Sequence, residues 1–314
     1  MNTLREGLQV YLLALRRSLG FKMHDASRVL PRFVAFMEKH QAPNISTRLA
    51  LEWVLQANTV QPAERARRLG FIRGFARYRS STDPLTEVPA PELLPHASTR
   101  ARPYLYTDQE VLSLLEAALQ LPTEWPSTPL RPWVFHCLLG LLSVTGLRVS
   151  EALDLKLDDV DLRQGVLTIR AAKFGRSRLV PLHPSTCSVL LHYLERRSQF
   201  LGKRRSEHVF ISNRGTRLDL GRVHRVFYAL SRQTGLRAPG MRNGPRLHDF
   251  RHRFAVQVLT RWYQSGEDPA RRLPVLSTYL GHVRVAGTYW YLSNSPELMA
   301  QAMMRLERRW GGAP

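Results

Sequence analysis

Apolar positions in the first eighty residues recur at helical spacing and fall into four groups. Leu4, Leu8, Tyr11, Leu12, Leu15 and Leu19 mark the first, with Arg16 and Arg17 toward its end. Val29, Phe33 and Val34 mark a second, over about Ala26 to His40. Ser46 or Thr47 is placed to cap a third, which runs through Trp53 and Leu55. A fourth extends from Pro62 to about Tyr78, with Leu69, Ile72 and Phe75 on one face and Arg65, Arg67 and Arg68 on the other. Four short amphipathic helices bury their stripes only against one another, so this region reads as a small bundle with basic outer faces. Pro84, Pro89, Pro91, Pro95 and Pro103 then break any helix between Ser81 and Tyr104. A stretch of that composition predicts an extended, semi-rigid linker. Its Arg100 and Arg102 suit a strap along a nucleic-acid backbone.

The pattern changes again after the linker. Thr107-Asp108-Gln109-Glu110 is a capping signal ahead of Val111, Leu114 and Leu115. A helix over Pro132 to Val144 ends at Gly146, where a C-cap glycine belongs. Ser150 opens a short helix with Ala152, Leu153 and Leu155. The period then switches: Val166 to Ala171 and Arg178 to Leu182 read as two strands joined across Lys173-Phe174-Gly175-Arg176-Ser177. Helical spacing returns at Thr186 to Phe200, Leu220 to Thr234, Asp249 to Tyr263 and Pro296 to Trp310. The expected class is mainly α with one small antiparallel sheet, and three segments: a bundle at 1–83, a linker at 84–103 and a second domain at 104–314.

Charge narrows the set of partners. The chain has 314 residues, 46 Lys+Arg against 25 Asp+Glu, and a net charge of +21. Arginine predominates, and its fork matches phosphate oxygens two at a time. A polyanion, nucleic acid first, is the expected partner. Cys137 and Cys187 lack CxxC spacing and read as free thiols of a reducing compartment. No apolar run is long enough for a membrane span, and the N-terminus lacks a signal-peptide pattern. The expected location is the cytoplasm, with the nucleoid.

Five short segments carry the candidate chemistry. They are Thr145 to Glu151, Lys173, Arg246-Leu247-His248-Asp249-Phe250-Arg251-His252, Leu280-Gly281-His282, and Tyr291. Together they offer arginines, a lysine, histidines and a tyrosine without an acidic cluster. That set suits attack on a phosphodiester by a protein hydroxyl. Glu151 shares a helical face with Arg148 and is placed to hold it; taken alone, the two read as a structural ion pair. His248 and Arg251 share a face, Asp249 braces their segment, and His252 is either a rival to His248 or a packing residue. A lysine can protonate a departing alkoxide, and a histidine can donate to a phosphate oxygen. A tyrosine hydroxyl is almost wholly protonated at neutral pH, so it attacks only with cations and a base beside it.

In order and spacing these segments resemble the tyrosine recombinase, or phage integrase, family over Tyr104 to Gly311. Thr145 to Glu151 is similar to its first arginine motif, Ala172 to Leu182 to its lysine hairpin, and His248 with Arg251 to its HxxR box. Leu280 to His282 is similar to its LGH box, and the nine-residue step to Tyr291 matches its nucleophile, which the step to Tyr289 does not. The bundle resembles the family's core-binding, SAM-like domain more loosely. Phe174 and Arg253 depart from the family pattern, and Arg237 to Arg246 is unusually basic. Trp290 to Ser293 and Pro296 to Leu298 look like the branch carried by mobile elements.

The resemblance implies a recombinase without metal, ATP or other cofactor. It acts on double-stranded DNA with paired sites, as a monomer in solution and a homotetramer, or mixed tetramer with sibling recombinases, on DNA. Tyr291 attacks a backbone phosphate to leave a 3′-phosphotyrosine and a free 5′-hydroxyl, and two exchanges pass through a four-way junction. Arg148, Arg251 and His282 hold phosphate oxygens, Lys173 protonates the leaving oxygen, and His248 assists at Tyr291. A type IB topoisomerase shares this chemistry, but size and domain order fit an integrase better. A DNA-binding regulator without catalysis is the reading from another class, and the complete residue set argues against it.

Overall fold

A computed structural model of the chain describes residues 3–19, 25–56, 60–94, 102–122, 130–170, 177–241, 244–282, 285–292 and 296–310. Contacts divide the chain into two compact units, Met1–Ala101 and Arg102–Pro314. The first contains α1 (Leu4–Leu19), α2 (Ala26–Lys39), α3 (Thr47–Leu55) and α4 (Pro62–Arg79). Their expected stripes meet in one core that includes Leu4, Leu8, Phe33, Leu69, Ile72 and Phe75. Ser46 caps α3, its hydroxyl accepting from the Leu49 N–H at 3.3 Å. The basic face of α4 is less free than its composition suggests. Arg67 donates to Glu64 and Asp25, both at 2.6 Å, and Arg68 donates to Glu64 at 3.2 Å.

The start of the proline-rich stretch is tied down. The Glu87 N–H donates to the Ile45 carbonyl at 2.8 Å. Arg73 donates from Nε to the Pro89 carbonyl and from Nη2 to the Ala90 carbonyl, each at 2.7 Å. Proline supplies no N–H of its own, so side-chain donors fasten its carbonyls instead. Arg100 lies outside the described residues.

The second unit is mainly helical around one small sheet. Its elements are α5 (Asp108–Leu119), α6 (Leu130–Thr145), α7 (Val149–Asp154), β1 (Val160–Asp161), β2 (Val166–Ile169), β3 (Arg178–Pro181), α8 (Pro184–Leu201), α9 (Leu220–Gln233), α10 (Asp249–Gln264), α11 (Pro269–Leu280), α12 (Ala286–Leu292) and α13 (Pro296–Trp310). The strands pair antiparallel in the order β1-β2-β3, with Val166 opposite Pro181 and Ile169 opposite Arg178. The Thr107 box closes as expected: Glu110 N–H to Thr107 Oγ1 at 3.2 Å, Thr107 N–H to Glu110 Oε2 at 2.8 Å.

Two elements differ from the sequence reading. β1 is only two residues long and carries no alternation to detect. α11 contains Pro274, which ordinarily ends a helix. Here burial of Leu273, Leu276 and Leu280 against α10 and the later helices holds it. Each buried leucine contributes about 1.5–3 kcal/mol, enough together to offset one lost backbone bond.

The architecture positions the site through two helix ends. Gly146 follows α6 at φ +61°, and a Cβ there would come within 2.7 Å of the Phe254 ring. α11 ends in a Schellman motif, with His282 N–H to Ser277 O and Gly281 N–H to Thr278 O, both at 2.9 Å. Gly281 takes the left-handed conformation this requires, φ +66°.

Candidate active site

Arg251 stands on the first turn of α10 and is only 1% exposed. It donates from Nη1 to the Gly146 carbonyl at 3.0 Å and from Nη2 to the Leu280 carbonyl, bridging the two glycine-marked turns. Tyr291 lies close enough to this guanidinium to favour its charged form. Burial draws its pKa down to about 10, against the attraction of Tyr291, so it remains a cation at neutral pH.

Arg148 precedes α7. It donates from Nη1 to Glu151 at 2.7 Å and from Nη2 to the Gly281 carbonyl at 3.2 Å. The Arg148 N–H also donates to Glu151, at 3.0 Å. Glu151 therefore does hold the guanidinium, and it holds a second one, from Arg178. Burial pushes the Glu151 carboxyl up, but the Arg178 hydrogen bond, the Arg148 N–H and both positive charges outweigh it and hold it near 2. Asp249, fully buried, accepts from the Arg246 N–H and from Arg246 Nη2, both at 2.8 Å, and so fixes the chain before His248.

Four rings line this corner. His282 lies against Tyr291, centroids 5.9 Å apart and nearly parallel at 19°. His252 lies on another side of Tyr291 at 5.2 Å, and His248 packs edge-on against His252 at 4.8 Å. The structure thus places His252 beside the tyrosine as well as His248 in the same corner. His282 Nδ1 pairs with the buried Thr288 hydroxyl at 2.8 Å. Tyr291 is 4% exposed, whereas Tyr289 is 55% exposed and faces away from this cluster's interior. Lys173 lies outside the described residues.

Both histidines are held neutral. Burial first, then the charge of Arg251, brings His248 and His282 down to about 4. Free imidazoles titrate near ~6.5, so between about 6.5 and 4 the unfolded chain binds the extra protons. Stability of this unit is therefore full above pH ~6.5 and falls as pH drops through that window. Glu151 adds a further loss below about 4.3, toward its folded value of about 2. Denaturant unfolding at pH 7.5 and 5.0 is expected to show the upper loss, and His248→Gln with His282→Gln is expected to flatten it. An unchanged slope in that double variant would show that other groups carry the acid sensitivity.

Several supports were not visible in the sequence. Arg178 lies 27 positions from Glu151, and the Tyr279 carbonyl 101 positions from Arg178. Arg253, a departure from the family pattern, turns inward: it donates to the Tyr106 carbonyl at 3.0 Å and to Asp108, fastening α10 to the start of α5. Among the described residues no group of three or more His, Cys, Asp or Glu side chains is placed to hold a metal ion.

Known structures share this fold. The Tn1549 transposon integrase in complex with transposon right end DNA superposes with a TM-score of 0.63 at 16% identity, over 96% of this chain and 98% of that one. A lambda integrase tetramer bound to a Holliday junction gives 0.61 at 20% identity, over 92% and 77%. Both are tyrosine recombinase folds. In sequence, the phage integrase family model matches residues 106–297. The protein y4rB of Sinorhizobium fredii, an integrase/recombinase by name, is 54% identical over 311 residues, 99% of each chain. This chain belongs to the phage integrase family, the tyrosine recombinases. It is accordingly a site-specific recombinase that cuts and rejoins DNA through a tyrosine.

Proposed function

We propose that Tyr291 is the nucleophile and that Arg148, Arg251 and His282 bind the scissile phosphate. The observation that carries this is the Tyr291 ring packed against His282, with Arg148 and Arg251 both fastened to the 280–281 carbonyls just before that histidine. Tyr291 Oη forms a bond to phosphorus while the bond from phosphorus to the 5′-oxygen breaks. The tyrosine proton passes to neutral His248, and Lys173 gives a proton to the departing 5′-oxygen. Two guanidiniums stabilise the charge that gathers on the non-bridging oxygens. With Nδ1 of His282 accepting from Thr288, Nε2 carries the proton and donates to the same phosphate. A 5′-hydroxyl from a partner strand then attacks the phosphotyrosine and reverses each step. The phosphodiester energy is kept in the covalent link, so no ATP enters. Covalent attachment to a nicked site whose cut strand loses the short downstream fragment bearing the free 5′-hydroxyl tests this reading; a site cut without attachment would refute it.

The substrate we propose is double-stranded DNA carrying paired sites, at the ends of a mobile element. Residues 1–83 and 104–314 grip it as two domains, with 84–103 between them. Net charge of +21 supports that grip. Counterion release gives roughly 10³–10⁵-fold weaker binding between 50 and 200 mM salt for six to ten phosphate contacts. A flat response in a binding titration would contradict a two-domain clamp. Among the described residues no helix is long and apolar enough to cross a membrane. The proposed location is the cytoplasm, at the nucleoid.

Assembly on DNA is proposed as a tetramer, of this chain alone or with sibling recombinases, from monomers in solution. The lambda integrase tetramer on a Holliday junction supports it. α13 packs against α10 of its own chain through buried Leu298, yet Met299 and Met303 remain exposed, the latter 60%. Methionines suit a surface that docks and releases. A chain ended before Pro296 is expected to bind one half-site and fail to pair two in a native gel. Normal recombination by that truncated chain would refute a role for α13 between subunits.

A further inference from the structure

Arg178 opens β3 opposite Ile169, and its side chain is 9% exposed. Its fork closes on both oxygens of Glu151: Nη1 to Oε1 at 3.1 Å and Nη2 to Oε2 at 2.8 Å. Nε donates to the Tyr279 carbonyl at 2.7 Å. Arg148 shares the same carboxylate and reaches the Gly281 carbonyl. One buried carboxylate thus sits between two guanidiniums, and each guanidinium also holds the chain just before His282. Gly281 leaves room for this: a Cβ there would come within 2.9 Å of Arg178 Nη1.

The charges give the arrangement a consequence. Arg148 paired with Glu151 alone is neutral as a unit and offers a phosphate little net attraction. A second guanidinium brings the unit to +1. Arg148 spends one hydrogen of Nη1 on the shared carboxylate and one of Nη2 on the Gly281 carbonyl, which leaves its Nε and the second Nη hydrogens for a phosphate. Fork geometry matters here, because lysine supplies the charge but not two parallel bonds.

We propose that Arg178 is a positioning residue for DNA cleavage: through Glu151 it aims Arg148 and frees its charge, and through Tyr279 it sets the turn that carries His282. This rests on Arg148 being a phosphate ligand, as argued above. A purely structural ion pair would change stability without changing how cleavage depends on phosphate charge.

Single-turnover cleavage separates the two. The substrates are a nicked site with an ordinary scissile phosphate and one with a methylphosphonate there, which lacks the charge. On the phosphate, Arg178→Lys is expected to cleave ~10- to 100-fold more slowly, the cost of a small misplacement of a phosphate-binding group. DNA binding is expected to be unchanged. On the methylphosphonate the gap to the wild-type protein is expected to narrow about tenfold or more, since the charge that Arg148 neutralises is gone. Arg148→Ala is run beside it. Narrowing in both variants supports the inference. Narrowing in Arg148→Ala but not in Arg178→Lys overturns it and leaves the phosphate role of Arg148 standing. No narrowing in Arg148→Ala overturns that role, and the inference with it. Should Arg178→Lys melt below the assay temperature, Arg178→Met combined with Glu151→Gln replaces it under the same criteria, because that pair leaves no lone buried charge.

Discussion

Tyr291→Phe is expected to bind its DNA site like the unaltered protein and never to become covalently attached to it. The substitution removes one oxygen from a ring packed between His252 and His282, so the surrounding contacts survive. What disappears is the atom proposed to bond to phosphorus, and among the described residues no nearby hydroxyl is placed to substitute for it. Thr288 is committed to His282, and Tyr289 is largely exposed. The expected loss of cleavage is to the detection limit of a gel on a nicked substrate. Tyr289→Phe is expected to cleave normally. The reverse pattern would place the nucleophile two residues upstream.

Arg251→Lys is expected to give the largest loss among substitutions that preserve charge. Lysine places one compact ammonium where a planar fork now reaches the Gly146 and Leu280 carbonyls. Those two acceptors lie on separate turns, after α6 and at the end of α11, so a single ammonium position serves them poorly. Cleavage is expected to fall about 100- to 1000-fold, equivalent to ~3–4 kcal/mol of transition-state stabilisation. Stability is expected to fall as well, since a buried carbonyl left unpaired costs about 1–3 kcal/mol. Measuring cleavage at a temperature where both proteins remain folded keeps the two effects apart. Cleavage within a fewfold of the unaltered protein would mean that Arg251 is a structural bolt only.

Much of this site lay open in the sequence because its residues sit at local signals. Glycine after α6 and after α11 marks backbone that only glycine adopts easily, and the arginine and histidine that follow inherit fixed directions from those turns. Arg148 with Glu151, and Arg246 with Asp249, are each three residues apart across the start of a helix, so the local turn of the chain into the helix pairs them. The Thr107 capping box and the Ser46 cap were legible for the same reason. Long-range partners were not. Arg178 reaches Tyr279 across 101 positions, and Arg253 reaches Tyr106 across 147. No periodicity encodes such contacts; they exist only once α10, α11 and the sheet have packed. α11 was hidden by Pro274, whose local veto is overridden by burial of Leu273, Leu276 and Leu280 against α10 and the later helices. His252 was read as a packing residue or a rival to His248. Its ring in fact lies beside Tyr291, a position that one-dimensional spacing does not reveal. The arginines of α4 show the opposite error, since composition suggested free positive charge where ion pairs now stand.

The most direct test is to trap the reaction and find the bond. A DNA site enriched from a random pool is nicked so that the short downstream fragment bearing the free 5′-hydroxyl diffuses away after cleavage, in buffer containing EDTA. The covalent complex is digested and the DNA-linked peptide sequenced by mass spectrometry. Tyr291 bonded to a 3′-phosphate is the expected result. A 5′-phosphate linkage, a link through Tyr289, or cut DNA with no peptide attached would contradict the assignment of this site.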